Sequence, residues 1–377
     1  MKKKLLRITT SSISLDLLLK GQLAYLNNYY DVVGLASGKD LLEKVSRREG
    51  IRTIELDMKR EISPWADFRS LLHMIRIIKK EKPFIVHANT PKGSLLGMTA
   101  ARVCRVPHRI YTVTGLRFET ASGLLRKLLI MMERITCRMA TKVIPEGDGV
   151  KHTLHKEKIT SKPLKKILNG NINGVDMEYF QRTAEVRAQA EGMKKEAFTF
   201  CFIGRMVKDK GVNELVRAFD QLSKVNPDIH LMMVGPLEQK LDPIEPDVVE
   251  MLQKHPAITF TGYQPDIRPF LAASDTLVFP SYREGFPNVV LQAGAMGLAS
   301  IVTDINGSNE IILEGKNGII IKPKDKHALY EAINYFVQNR GAVAEMAANA
   351  RLLIESRYEQ KMVWKAILEE YQGLEDK

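Results

Sequence analysis

Cysteine is scarce and scattered. Three occur in 377 residues, at positions 104, 137 and 201. They show neither the paired spacing of a zinc site nor the framework of a disulfide-bonded domain, and this usage points to a reducing compartment. Long apolar runs are also lacking: none approaches the ~18 residues that would mark a membrane-spanning helix. The start, Met1-Lys2-Lys3-Lys4-Leu5-Leu6, is basic but leads into only a short apolar patch. It is expected to form a first strand rather than a secretory leader. The 25 glycines nowhere make G-x-G-x-x-G, and no G-K-[ST] closes a helix-opening turn. The dinucleotide fingerprint and the Walker A loop are therefore excluded. There is no internal repeat and no low-complexity tract. Helix-turn-helix spacing, zinc-finger ligands and an aromatic-basic RNA-binding motif are missing too, so nucleic acid is not an expected partner.

Acids are outnumbered, 44 against 56 Lys and Arg, giving a net charge of +12 and favouring anionic partners. The length exceeds one comfortable core and points to two domains. A hydrophobic content of 45% is enough to fill both. Strand patterns alternate with helical ones almost throughout, which predicts doubly wound α/β architecture. In the first half the expected strands are 5–9, 30–35, 51–56, 84–87, 109–113, 142–144 and 165–168. The stretch Leu168-Asn169-Gly170-Asn171-Ile172-Asn173-Gly174-Val175-Asp176 is dense in turn formers. It sets the expected boundary, with one domain over 1–172 and a second over 173–358. Residues 360–374 are amphipathic.

Two turns carry the most chemistry. The apolar run Thr276-Leu277-Val278-Phe279 ends at Pro280 and enters Ser281-Tyr282-Arg283-Glu284-Gly285-Phe286-Pro287, after which helical spacing begins. Proline suits the first turn of a helix, where its missing N–H costs nothing. A carboxylate, Glu284, and several backbone N–H groups are thus expected together at the C-terminal end of a strand. In open α/β sheets that end receives ligands, and a helix N-terminus there favours phosphate. An ordinary strand-turn-helix joint with a capping acid would read the same. Upstream, Phe198-Thr199-Phe200-Cys201-Phe202-Ile203 reads as a buried strand. It runs through Gly204-Arg205-Met206-Val207-Lys208-Asp209-Lys210-Gly211 into a helical pattern. Arg205 and Lys210 suit a diphosphate, Arg as a planar fork and Lys as a point charge. The plainer alternative is a solvated basic loop.

Together these turns resemble the nucleotide-sugar half of the GT-B glycosyltransferases of family 4, the retaining group. The likeness extends through Leu231-Met232-Met233-Val234-Gly235-Pro236, Ile258-Thr259-Phe260-Thr261-Gly262-Tyr263 and Ala295-Met296-Gly297-Leu298-Ala299 to Asn317-Gly318, in the family's order. Within the family the chain is most similar to transferases of capsular and O-antigen polysaccharide assembly, including those that extend lipid-diphosphate-linked sugars. The resemblance implies two Rossmann-like doubly wound domains facing across a cleft. It also implies a closing helix, within 359–377, that crosses back to the first domain. It places Arg205 and Lys210 on the donor diphosphate without a metal or other cofactor. Gly204 lies in the same turn. Backbone N–H groups around Gly285, Phe286, Asn288 and Val289 would hold the distal phosphate or the sugar. Glu284 would bond donor-sugar hydroxyls, and the base would sit near Gly262 and Tyr263.

The chain departs from the family pattern at three places. Eight residues after Glu284, where the family has a second Glu on the ribose, stands Gln292. It keeps an acceptor but loses the charge-assisted bond. After the first strand, Ile8-Thr9-Thr10-Ser11-Ser12-Ile13-Ser14 replaces a Gly-rich loop. Ser11 would face an acceptor or the diphosphate, or else cap the next helix. In Tyr111-Thr112-Val113-Thr114-Gly115-Leu116-Arg117-Phe118, the loop expected to face the donor sugar, Thr114 stands before Gly115 where many relatives have His. His87 ends a strand and reads either as a site residue or as a satisfied strand-end histidine. Lys92 and Arg117 are candidate ligands for an acceptor diphosphate.

The segment 124–138 is apolar on most turns, with Arg126, Lys127, Arg134 and Arg138 marking a basic side. It reads as a helix on an anionic bilayer or as a core helix with a charged edge. The resulting expectation is a cytoplasmic transferase, peripheral on the inner face of the cytoplasmic membrane. It would move a sugar from a nucleotide-sugar donor, a UDP-sugar by expectation, to a lipid-linked or oligosaccharide acceptor with retention. The rivals are a non-hydrolysing sugar-nucleotide 2-epimerase of the same fold and a degenerate, non-catalytic transferase. Gln292 is the feature that favours the last.

Overall fold

The computed structural model describes residues 2–59, 61, 63–240 and 242–375. The chain divides into two compact units, one comprising residues up to Gly174 together with those from Lys361 on, the other Val175–Gln360. Each is built on a six-stranded, wholly parallel sheet with helices packed on it.

The first unit holds β1 (Lys4–Ser11), β2 (Asp31–Ser37), β3 (Arg52–Glu55), β4 (Ile85–Ala88), β5 (His108–Val113) and β6 (Lys142–Pro145) in the order β3-β2-β1-β4-β5-β6. Both faces of the sheet are covered, so its central strands are buried along nearly their whole length, with the polar Arg7, Thr9, Thr10 and His87 included. Leu6 and Ile8 of β1 point into one core, with Val86, Val143 and the helices Pro64–Glu81, Pro91–Val103 and Gly123–Met139. Leu5 points into the other, with Ile144 and with Val363, Ile367, Leu368 and Tyr371 of the terminal helix Gln360–Gln372.

The strand expected over 165–168 is absent. The backbone is irregular there, and Leu168 and Asn171 take positive φ of 48° and 64°. Strands do not accommodate left-handed backbone, and Asn171 uses it to close a turn in which its Oδ1 accepts from the amides of Asn173 and Gly174 at 2.9 and 2.8 Å.

The second unit holds β7 (Phe198–Ile203), β8 (Ile229–Val234), β9 (Ile258–Gly262), β10 (Thr276–Phe279), β11 (Ala299–Thr303) and β12 (Gly318–Ile321) in the order β12-β11-β10-β7-β8-β9. All six residues of β7 and all four of β10 are buried. Thr276 and Leu277 pair in register with Phe200 and Cys201. The order of strands reverses between β7 and β10, which are neighbours in the sheet although two strands separate them in the chain. Such a switch point opens a crevice at the C-terminal ends of the two strands, because the connections leave in opposite directions. No helix among the described residues is long and apolar enough to cross a membrane.

Candidate functional site

The crevice between β7 and β10 brings together the two turns singled out in the sequence. After β7 the chain makes a short 3-10 turn, Lys208–Lys210, and enters the helix Val212–Ser223 at Gly211. After β10 it passes through Ser281–Pro287 into the helix Asn288–Ala295. Neither helix has a side-chain N-cap hydrogen bond. The positive ends of both helices therefore face the crevice without a built-in side-chain cap. Gly211 is required at the junction. Its φ is +70°, and a Cβ there would lie 2.1 Å from the carbonyl oxygen of Pro280.

At the centre, the Lys210 ammonium forms an ion pair with Glu284. Both side chains are largely buried, at 18 and 17% exposure, and the ammonium also lies 5.2 Å from the centre of the Phe279 ring. The fully buried Ser281 hydroxyl donates to Glu284 Oε1 at 2.8 Å, fixing the carboxylate from the other side. Thr303, at the end of β11, donates its hydroxyl to the Ser281 carbonyl. The Tyr282 amide donates to the Asp209 carbonyl at 2.8 Å, so the two turns are joined through their backbones as well. Below them, burial and a hydrogen bond to Glu214 hold the Tyr282 hydroxyl well above its ordinary pKa.

Arg205 stands further out, 55% exposed, and its Nη1 lies 2.6 Å from Oε2 of Glu238. Gly204 sits at the mouth of the crevice, where its amide donates to the Val234 carbonyl at 2.9 Å. Gly235 crosses directly over it: a Cβ at Gly235, whose φ is +139°, would lie 1.9 Å from the Gly204 oxygen. At the end of β9, Gly262 takes φ +67° and Tyr263 is 73% exposed. Gly285, Asn288, Val289 and Gln292 are all partly accessible, the last three along the start of the helix Asn288–Ala295. The Phe286 ring instead turns into the core, 5.5 Å from the ring of Tyr358. Only its backbone belongs to the turn.

Sequence reasoning missed Glu238, Ser281 and Thr303. Nothing local marks Glu238 or Thr303, because their roles depend on β8 ending beside β7 and β11 beside β10; the signal available for Ser281 was its place three residues before Glu284 in the same turn.

In the first unit the switch point lies between β1 and β4. The Ser/Thr-rich turn after β1 is committed internally. The Thr10 amide donates to the Thr90 hydroxyl at 2.7 Å, the two threonine hydroxyls share a hydrogen bond at 2.8 Å, and Thr10 Oγ1 accepts from the Gly93 amide at 3.0 Å. Ser11 occupies the N-cap position of the helix Ser12–Leu18 without a capping bond, and its hydroxyl lies 3.2 Å from that of Ser14. The capping role expected for it is therefore not realised. Thr114 donates to the Asn89 carbonyl at 2.6 Å, and Gly115 follows with φ +131°.

His87 is a buried structural residue. Its Nε2 lies 2.7 Å from Thr112 Oγ1, and its Nδ1 meets Arg7 and, at 2.5 Å, the Tyr371 hydroxyl. Arg7 has only donors, so Nδ1 accepts and the Nε2 proton goes to Thr112. Burial, with the Arg7 charge beside it, holds His87 far below its usual pKa and neutral.

Lys92 is buried and bonded to Asp67 Oδ1 at 2.7 Å. It lines, with exposed Arg117, Phe118, Leu129 and Met132, a pocket whose floor holds Glu133.

The expected 124–138 helix runs over Gly123–Met139. Ile130, Glu133, Thr136 and Cys137 face the core, whereas Leu124, Leu128, Met131 and Ile135 form an exposed stripe. Arg126 pairs with Glu157 at 2.8 Å, and Arg134 donates to the Glu157 carbonyl at 3.0 Å. Two of the four basic residues on this helix are thus turned onto a neighbouring segment.

The class of protein follows from this architecture. Two parallel six-stranded Rossmann-like sheets define the GT-B fold. The chain superposes on HepE of Anabaena, crystallised with UDP, with a TM-score of 0.80 and 17% identity, over 99% of this chain and 100% of that one. On the sucrose-phosphate synthase of Thermosynechococcus elongatus the TM-score is 0.82 at 19% identity, over 99% of each chain. The family model for glycosyl transferases group 1 matches residues 184–353, and that for glycosyl transferase 4-like domains matches 12–146. The capsular polysaccharide biosynthesis glycosyltransferase CapM of Staphylococcus aureus is 30% identical over 369 residues, spanning 97% of this chain and 96% of that protein. A UDP-Gal:alpha-D-GlcNAc-diphosphoundecaprenol alpha-1,3-galactosyltransferase of Escherichia coli is also 30% identical, over 73% of this chain and 71% of that one. The chain belongs to the group 1, family 4 glycosyltransferases and is a glycosyltransferase.

Proposed function

We propose that this enzyme transfers a sugar, with retention, from a UDP-sugar to a lipid-linked acceptor in the assembly of a capsular or O-antigen type polysaccharide. One observation carries the reading: Lys210 and Glu284 meet at the switch point of the second sheet, between two helix N-termini. A nucleoside diphosphate leaving group needs preorganised positive charge where its own negative charge develops, and that is the potential this crevice supplies. The named relatives support the acceptor class, since that of E. coli and another of Campylobacter jejuni, 23% identical over 80% of each chain, are both transferases to diphosphoundecaprenol-linked sugars.

In this reading Arg205 and Lys210 hold the diphosphate and no metal is needed. First-turn amides of Asn288–Ala295 hold the distal phosphate or sugar, Glu284 bonds sugar hydroxyls, Gln292 bonds the ribose, and Gly262 and Tyr263 flank the base. The bond from the sugar's anomeric carbon to the diphosphate oxygen breaks on the face where the acceptor hydroxyl attacks. The acceptor's proton passes to the departing phosphate oxygen, so new bond, lost bond and proton balance without a protein base. Neutral, buried His87 is not offered that role.

The membrane contact is proposed for the stripe Leu124, Leu128, Met131 and Ile135, with Lys127 and Arg138 beside it. Apolar side chains spaced i, i+4, i+7, i+11 on one exposed helix face suit the interface of an anionic bilayer. Incubation with labelled UDP-sugars and a membrane extract tests the whole. Transfer of label to lipid supports it, epimerised nucleotide sugar would reveal a 2-epimerase, and neither product would leave a non-catalytic binder.

A further inference from the structure

Arg205 has a resident partner that the donor must displace. Glu238 lies in the turn after β8, and that turn is held against the one after β7 by its backbone. The Met206 amide donates to the Pro236 carbonyl at 2.9 Å, Met206 bridges Leu237, and Gly235 crosses Gly204 too closely for any side chain. This register brings Glu238 Oε2 to 2.6 Å from Arg205 Nη1.

The two carboxylates at the proposed diphosphate cations are not equivalent. Glu284 is braced by Ser281 and deeply placed, whereas the Arg205–Glu238 pair is open, 55 and 32% exposed. We infer that Glu238 is a positioning residue that acts through Arg205. It stands in for the diphosphate while the site is empty and competes with it for the guanidinium. This rests on the reading that Arg205 binds the donor diphosphate.

The physical case has two parts. A carboxylate presents nearly the same paired oxygens to a guanidinium as a phosphate does, so Glu238 keeps the fork ordered and aimed. The same charge repels an arriving diphosphate and must move into solvent before Arg205 is released. An exposed pair of this kind is weakly held, so displacement is easy and reversible. Glu238 therefore recaptures Arg205 as the nucleoside diphosphate departs. Donor affinity is moderated and product release assisted by one residue.

Titration calorimetry with UDP and with uridine, on the parent, Glu238→Gln, Arg205→Ala and the double variant, tests this. The Gln amide keeps the shape and a hydrogen bond but removes the repulsion. Glu238→Gln is expected to bind UDP about three- to fivefold more tightly, the scale of an exposed ion pair. Uridine, which carries no phosphate, should bind both equally. In the Arg205→Ala background, where only the repulsion is left to relieve, Glu238→Gln should bring a clearly smaller gain than in the parent, and UDP should inhibit turnover of the single Glu238→Gln variant more strongly than that of the parent. If Arg205→Ala weakens UDP binding and Glu238→Gln leaves it unchanged or weaker, the counter-ion role is wrong and the donor site stands. If Arg205→Ala leaves UDP binding intact, or the parent does not bind UDP, the underlying placement of the diphosphate is itself overturned.

Discussion

Lys210 and Glu284 lie 74 residues apart in the chain and form an ion pair at the junction of β7 and β10. Each is contributed by a turn that would be unremarkable alone. Together they place a cation and a carboxylate where two helix dipoles converge, and the chemistry proposed here follows from that arrangement.

Removing the cations should damage the transition state more than the ground state. Lys210→Ala and Arg205→Ala are each expected to lower kcat/KM by roughly 10²–10³-fold, the scale of losing one preorganised donor at a developing charge. Lys210→Ala should be the more severe, since it also leaves Glu284 without its counter-ion. Steady-state kinetics on lipid-linked acceptor checks this, and variants within about threefold of the parent would remove both residues from the site. EDTA is expected to leave the rate unchanged; a loss restored by Mg²⁺ would contradict the metal-free assignment.

Gln292 lies one turn into the Asn288–Ala295 helix. Gln292→Ala should raise the donor KM and weaken UDP binding with little change in kcat, because a ribose contact is made equally in ground and transition states. Gln292→Glu is expected to bind UDP as well or better, by restoring a charge-assisted bond. Severe inactivation by Gln292→Glu would assign the position to something other than ribose.

The exposed stripe separates the membrane reading from a purely structural one. Leu124→Ser with Met131→Ser should reduce co-sedimentation with anionic vesicles without lowering the melting temperature, since both side chains are at least half exposed. Lys127→Gln and Arg138→Gln should each remove about 1 kcal/mol of attraction if near the surface, and salt should weaken parent binding. Arg126→Gln and Arg134→Gln should matter less, because these two are engaged with Glu157. Equal binding by the parent and the stripe variant would leave this helix as core only.

Glu133 gives a pH signature. Burial lifts its carboxyl to about 7, although the hydrogen bond from Tyr111 at 2.9 Å draws it down. The folded pKa lies above the unfolded one, so the neutral form favours folding. That stability is fully present below about pH 4.5 and is lost as pH rises through 7. The whole span amounts to about 3 kcal/mol. Glu133→Gln, permanently neutral, should melt at a higher temperature than the parent at pH 8 and at nearly the same temperature at pH 4.5. An equal difference at both values would show that Glu133 does not titrate in this range.

Much of the fold was legible because buried parallel strands announce themselves. Runs such as Phe198–Ile203 and Thr276–Phe279 are apolar on both faces, and a turn followed by helical spacing fixes what comes next. The false strand at 165–168, Lys165-Lys166-Ile167-Leu168, was a weaker signal with only its last two residues apolar, and it failed because Leu168 and Asn171 take left-handed backbone that no apolar count reveals. The candidate site was legible as two turns of suitable chemistry, with Glu284, Arg205 and Lys210 all in them.

The rest depended on which strands lie side by side. Adjacency of β7 and β10 joins Lys210 to Glu284, and adjacency of β10 and β11 sets Thr303 behind Ser281. Adjacency of β7 and β8 gives Arg205 its partner in Glu238. His87 illustrates the same limit: it ended a strand and was open to a catalytic reading, yet Arg7 and Tyr371, the latter 284 residues on, enclose it. Sequence alone determined the elements and the types of residue at their ends, because backbone preference and burial pattern act over a few residues. Only the tertiary structure decided which charges meet and which are already satisfied, because hydrogen bonds and ion pairs depend on distances of a few ångströms between segments the chain order holds far apart.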